Sequence, residues 1–176
     1  MRFLIVLMIM LVSGCTGVPD NIKPVSNFEL QRYLGKWYEI ARLPHRFEDG
    51  LHKVTAHYSL REDGGVKVVN RGYHVEDQQW DEAEGKAYFV DDENTGHLKV
   101  SFFGPFYASY VIITLDENYE YAMVTGPDRD YLWLLSRTPT LGKETVARLV
   151  EQAASMGYAV DDLIFVEQNI DTSKTG

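Results

Sequence analysis

The sequence predicts an all-β domain: an eight-stranded antiparallel up-and-down β-barrel, with one α-helix packed outside it near the C-terminus and a short ninth strand. Three observations lead there. Between Trp37 and Arg137, segments of alternating apolar and polar residues recur about every 10 to 14 positions. Short runs rich in Gly, Asp and Asn, residues suited to tight turns, separate them. A single stretch with helical spacing follows the last of them.

The chain opens with Met1-Arg2, a positive start, and then an unbroken apolar run from Phe3 to Val12. A bilayer-spanning helix needs about 20 apolar residues. A run of roughly half that length behind a positive charge reads as an export signal. Small residues then precede Cys15, the only cysteine in the chain. A lone thiol forms no internal disulfide, so its role lies elsewhere. The stretch LVSGC resembles the lipobox of bacterial lipoproteins; the other reading is an ordinary secretory signal with a chance cysteine at its end. The resemblance implies a signal peptide at residues 1–14, a diacylglycerol on the Cys15 sulfur and an acylated N-terminus. Each buried methylene contributes about 0.8 kcal/mol, so several acyl chains together make a durable anchor. Thr16 is not the aspartate that retains such lipoproteins at the inner membrane. The implied location is therefore the outer membrane, lipid-anchored on its periplasmic face. Residues 15–27, with two prolines and little apolar matter, read as the lipidated N-terminus and a linker.

The strand segments are WYEIARL, VTAHYSL, VKVVNRGY, EGKAYFV, HLKVSFF, SYVIITL, YAMVTG and YLWLLSR. Between them lie REDGG, HVEDQQWD, DDENTG, GPF, DENY and GPDRD, while the first link, PHRFEDGLHK, is long enough to form a lid. Hairpin-linked strands of this number close most economically into a barrel, which leaves no edge exposed; a two-sheet sandwich is the alternative. Val146, Leu149, Val150, Ala153 and Met156 then fall on one helical stripe, with Pro139 before it and Gly157 after. LIFV, ending at Val166, supplies the ninth strand. The barrel domain is assigned to residues 28–168 and a flexible tail to 169–176.

Charge excludes one class of function. The net charge is −9, and −10 once residues 1–14 and their single arginine are set aside. Nucleic acid binding rests on cationic contacts to phosphate, and none is expected here. His45, His52, His57, His74 and His97 scatter over loops and outward strand positions, so neither a metal site nor a cofactor is expected.

Gly35-Lys36-Trp37-Tyr38 opens the first strand and Ser136-Arg137 closes the eighth. This pairing resembles the lipocalin family, with its G-x-W-Y motif near the start and an arginine at the end of the last barrel strand. Asp130-Tyr131 stands where the family has a similar pair. GKWYEIARLPHRFE, KVSFFGPFY and GPDRDYLWLLSRTP are similar to the bacterial outer-membrane lipocalins. Gly35, Trp37 and Arg137 are then structural. Counting strand reversals brings Trp37 and Arg137 to one barrel end, where a guanidinium over an indole contributes roughly 0.5 to 2 kcal/mol.

Alternation assigns the residues that line the other, open part. They are Glu39 and Ala41; Ala56 and Tyr58; Val68 and Asn70; Ala87 and Phe89; Val100 and Phe102; Tyr110 and Ile112; Val124; and Tyr131 and Trp133. Small members of this set leave volume that a solid core would fill. Glu39, inside apolar walls, must be paired, protonated or wet. It serves either as a structural partner for a neighbouring strand or as a contact to a ligand headgroup, and Asn70, Tyr110 and Thr114 carry the same two readings. The aromatics of FFGPF either line the mouth or pack around a tight hairpin or dimer contact.

The resemblance implies a carrier of fatty acids or lysophospholipids in the cell envelope, not an enzyme, with homodimerisation plausible. A lipid-modifying enzyme and a structural lipoprotein with a filled barrel are the alternatives. No G-x-S-x-G elbow is present.

Overall fold

Strand periodicity between Gly35 and Ser136 produces eight strands that close on themselves. The computed structural model describes residues 16–172; the expected signal peptide, Cys15 and the last four tail residues lie outside them. The strands are β1 (Gly35–Arg42), β2 (Leu51–Leu60), β3 (Val66–His74), β4 (Gln79–Phe89), β5 (His97–Ser101), β6 (Ala108–Leu115), β7 (Tyr121–Thr125) and β8 (Leu132–Ser136). Each pairs antiparallel with the next, and β1 pairs with both β2 and β8, so the ladder closes. β4 starts at Gln79, which moves Trp80 and Asp81 from the expected loop into a strand.

Two apolar clusters follow from the two faces of the closed sheet. The inner one includes Trp37, Tyr58, Val68, Ile112 and Val124. The outer one lies between the barrel and the C-terminal helix Lys143–Ser155, whose Leu149 and Ala153 are fully buried against Ile40, Val111, Met123 and Leu134. That helix ends at Gly157, where φ is +85° and an added Cβ would come within 3.3 Å of the Arg129 side chain. Only glycine adopts such a turn without strain.

Three bulges interrupt the period-two pattern. On β1 the register with β8 shifts between Glu39 and Ala41, on β2 between His52 and Thr55, and on β6 between Ile112 and Thr114. One extra residue turns the following side chains to the other face. Ala41, expected inside, lies in the outer cluster, and Arg42 points inward in its place. Thr114 is likewise turned out, where it accepts a hydrogen bond from Gln152 of the helix at 3.0 Å.

The ninth strand, β9 (Ile164–Phe165), pairs with the upper part of β1, where β2 has diverged. Past it, the Gln168 side-chain amide donates to the carbonyls of Glu39 and Val54, at 2.7 and 2.9 Å, and bridges the seam. The tail continues beside β2, its Ile170 carbonyl accepting from Lys53. Residues 16–27, read as a linker, also lie along the barrel. Val25 exchanges backbone hydrogen bonds with Ile112 and Gly96, Arg129 donates to the Asp20 carbonyl, and Ser109 donates to that of Gly17. Val18 and Ile22 join the outer cluster, so a few well-placed apolar residues dock a segment whose composition alone reads as a linker.

The barrel floor is built around one indole. A four-residue helix, Leu30–Tyr33, crosses the end, and the Tyr33 carbonyl accepts from Trp37 Nε1 at 2.8 Å. Arg137 Cζ lies 4.0 Å from the Trp37 ring centroid. Its guanidinium also donates to the carbonyls of Arg32, Leu34, Lys36 and Tyr119 at 2.7 to 3.2 Å. Gly35 adopts φ +94° beneath it, where an added Cβ would meet Arg137 Nη1 at 3.5 Å. That backbone turn explains the glycine of the G-x-W motif.

Candidate functional site

Above this floor the inner wall is almost wholly apolar. Tyr58, Val68, Ala87, Ile112 and Val124 are buried within it. Ala56, Phe89, Val100, Phe102, Tyr110 and Trp133 pack against them while keeping partial exposure. Asn70 pairs with Ala56 and Ala83 and so shares their inner face, and its Oδ1 is buried with no hydrogen-bond partner among the described residues. Tyr131 stacks on Trp133 with centroids 6.0 Å apart and planes 18° from parallel.

The space between these walls is narrow. The cavity between Phe28, Tyr33, Tyr58, Val68, Val100, Tyr110 and their neighbours has a volume of about 20 Å³, so the small residues of the wall do not leave the open volume expected from the sequence. At Gly85 a Cβ would lie 2.9 Å from the Phe102 ring, so this glycine lets Phe102 fold down onto the wall.

Three hydroxyls line the lower chamber. Tyr110 Oη lies 2.7 Å from Tyr33 Oη and 2.8 Å from Tyr58 Oη. Burial pushes all three phenols well above their ordinary range, so each keeps its proton at neutral pH.

The upper end holds charge that sequence reasoning missed. Glu39 and Arg42 are both buried, and Arg42 Nη1 donates to Glu39 Oε1 at 2.8 Å. Three positions apart, they share a face only because of the bulge between them. The other arm of Arg42 donates to the carbonyls of Glu48 and Leu51, which ties down the mouth loop after Leu43. From that loop, the Glu48 carboxylate accepts from Trp133 Nε1 at 3.0 Å and lies 2.8 Å from His45 Nε2. The His45 ring meets Trp133 at 5.3 Å, so the loop folds inward as a partial lid. A lone interior glutamate was itself a signal that a cation stands nearby. Phe103 and Phe106, by contrast, stand 75% and 77% exposed on the rim.

One fixed cation serves two carboxylates here, so the cluster carries an excess negative charge unless one carboxyl keeps its proton. Burial pushes the Glu39 carboxyl well up, the Glu48 charge adds to this, and Arg42 opposes without prevailing. Burial also acts upward on Glu48, but hydrogen bonds from His45 and Trp133 outweigh it and hold that carboxyl below its usual range. A carboxyl whose folded pKa is raised binds more protons folded than unfolded. Its contribution is full below the unfolded value, near 4.5, and is lost as pH rises through the folded one. Thermal unfolding of Glu39→Gln should therefore match wild type near pH 4.5 and overtake it as pH is raised to 8. Curves that stay parallel would contradict a protonated Glu39.

A lipocalin-like domain model matches residues 28–168. The chain belongs to the lipocalin family. Among curated relatives it is 56% identical over 165 residues to the outer membrane lipoprotein Blc of Vibrio cholerae, covering 93% of this chain and 96% of that protein. It is 52% identical over 160 residues to the outer membrane lipoprotein Blc of Escherichia coli K12, covering 90% of each. Bovine apolipoprotein D is 35% identical, over 81% of this chain and 78% of its own. Among solved structures, insecticyanin from the tobacco hornworm superposes with a TM-score of 0.68 at 20% identity, covering 86% of each chain. That likeness speaks for the lipocalin fold alone.

Proposed function

We propose that this lipocalin is a lipid carrier, tethered by acyl chains on Cys15 to the outer membrane at its periplasmic face, that holds a fatty acid or lysophospholipid in its barrel. The observation that carries the reading is the inner wall, which between the Trp37 floor and the Trp133 mouth is apolar apart from three tyrosine hydroxyls, Asn70 and the paired Glu39 and Arg42, and which keeps small residues at Ala56, Gly85 and Ala87. Burial of hydrocarbon along such a wall supplies about 25 cal/mol per Å² without any directional contact. Because the chamber is narrow as it stands, entry of an acyl chain is expected to displace Phe102 from Gly85. The names of the Vibrio and Escherichia relatives support the location.

An enzymatic reading finds less support. His45 and Glu48 form an imidazole–carboxylate pair at the mouth, yet among the described residues no hydroxyl is hydrogen-bonded to His45. The carrier reading is tested by recovering the full-length product from outer membranes and analysing it by mass spectrometry. The expected result is an acylated N-terminal Cys15 peptide together with co-purified fatty acid or lysophospholipid. An unmodified Cys15, or protein that repeatedly comes without lipid and takes up none when it is added, would overturn it.

A further inference from the structure

Hydrogen-bond counting in the lower chamber leads to a more specific ligand. Tyr33, Tyr110 and Tyr58 carry three hydroxyl protons, and the two hydrogen bonds that join them use two. Whichever way the chain is polarised, one O–H remains without an acceptor, and these oxygens have no further partner among the described residues. Asn70 Oδ1 is a buried acceptor with no donor. On the inner face Asn70 stands opposite Ala56 and Tyr58 opposite Val68, which makes Tyr58 and Asn70 diagonal neighbours across β2 and β3. Long side chains at such positions reach one another. A spare donor and a spare acceptor thus share the inner face of β2 and β3 at diagonal positions, and burying either unpaired is unfavourable.

An alcohol satisfies both at once, because its oxygen accepts from a phenol while its proton goes to the amide oxygen. A carboxylate does not. It has no proton to give Asn70, no cation among the described residues lines the chamber, and the Glu48 charge acts unfavourably on negative charge at Tyr58. The one guanidinium that reaches Tyr33 and Tyr58 electrostatically, Arg137, lies over the Trp37 ring. Resting on the carrier reading above, we propose that Tyr33, Tyr58, Tyr110 and Asn70 form a subsite that selects acyl chains bearing a hydroxyl group in their distal half, the part that reaches the floor when the chain enters tail first.

The test compares saturated C16 and C18 fatty acids with counterparts hydroxylated at mid-chain and at positions out to the terminal carbon. Each displaces a fluorescent acyl probe from the purified wild-type protein and from Tyr58→Phe and Asn70→Leu. The expected result is at least one distal hydroxy acid bound about tenfold tighter than its parent by wild type. Both variants should lose most of that preference, read within each variant as the ratio of its affinity for the hydroxy acid to its affinity for the parent acid. No preference at any hydroxyl position, or a preference unchanged in both variants, overturns the subsite while leaving the carrier standing. Failure of the parent acids to displace the probe from wild type would instead refute the carrier, and the subsite with it.

Discussion

Trp37→Ala should destabilise the barrel by about 3–5 kcal/mol, the range for removing a large aromatic side chain from a packed core. Trp37 has no exposed surface, and Tyr33 packs against it with centroids 4.7 Å apart. Its indole N–H satisfies the Tyr33 carbonyl that anchors the floor helix. Deleting the ring also strips the Arg137 guanidinium of its platform, although four carbonyls continue to hold that side chain. Urea unfolding measures the loss as a lowered midpoint with the slope unchanged. Arg137→Lys keeps the charge but not the planar fork that reaches several carbonyls at once, and a smaller loss is expected. A Trp37→Ala unfolding free energy within about 1 kcal/mol of wild type would mean that the floor does not hold the barrel shut.

Ala56→Arg should abolish acyl-chain uptake with little loss of fold. Ala56 pairs with Trp37 on one side and Asn70 on the other, so its Cβ points into the lower chamber just above the floor. A guanidinium there occupies the room an acyl tail needs and places a charge where hydrocarbon should lie. The long side chain can extend upward past the chamber, which is why the barrel is expected to survive. Circular dichroism reports the fold, and titration with a brominated fatty acid reports uptake through quenching of tryptophan fluorescence. Quenching equal to that of wild type in a folded variant would place the acyl chain elsewhere.

Much of the architecture was legible because alternation and turn chemistry are local signals. Eight hydrophobic segments, the turns between them and the Pro139-to-Gly157 helix could be read one window at a time. The side-chain assignments failed where that locality fails. A bulge cannot be seen in the period-two pattern it interrupts, so Ala41 and Thr114 were placed one face wrong and Arg42 was overlooked. Glu39 did carry a hint, because an interior carboxylate calls for a cation, but nothing local says that the cation is three residues away on the same strand. The inward fold of His45 and Glu48 depends on Trp133, distant in sequence, and on Arg42, which only the bulge turns inward. Docking of residues 16–27 depends on the backbone of Ile112 and Gly96 and on the Ser109 side chain, none of them close in sequence. Tyr33 escaped attention because it enters the chamber from the floor helix, an element that the strand pattern does not announce.

Hydrocarbon lies either inside the barrel or on its surface, and three tryptophans allow a direct measurement. Trp37 and Trp133 belong to the inner wall, whereas Trp80 packs beneath Arg71, whose Cζ lies 4.1 Å from the ring centroid. Stearate brominated along its distal half, titrated into a Trp80→Phe variant, should quench the two interior tryptophans saturably at one ligand per chain. Quenching that never saturates, or that disappears when Trp80 is removed, would put the lipid on the outside and contradict the account.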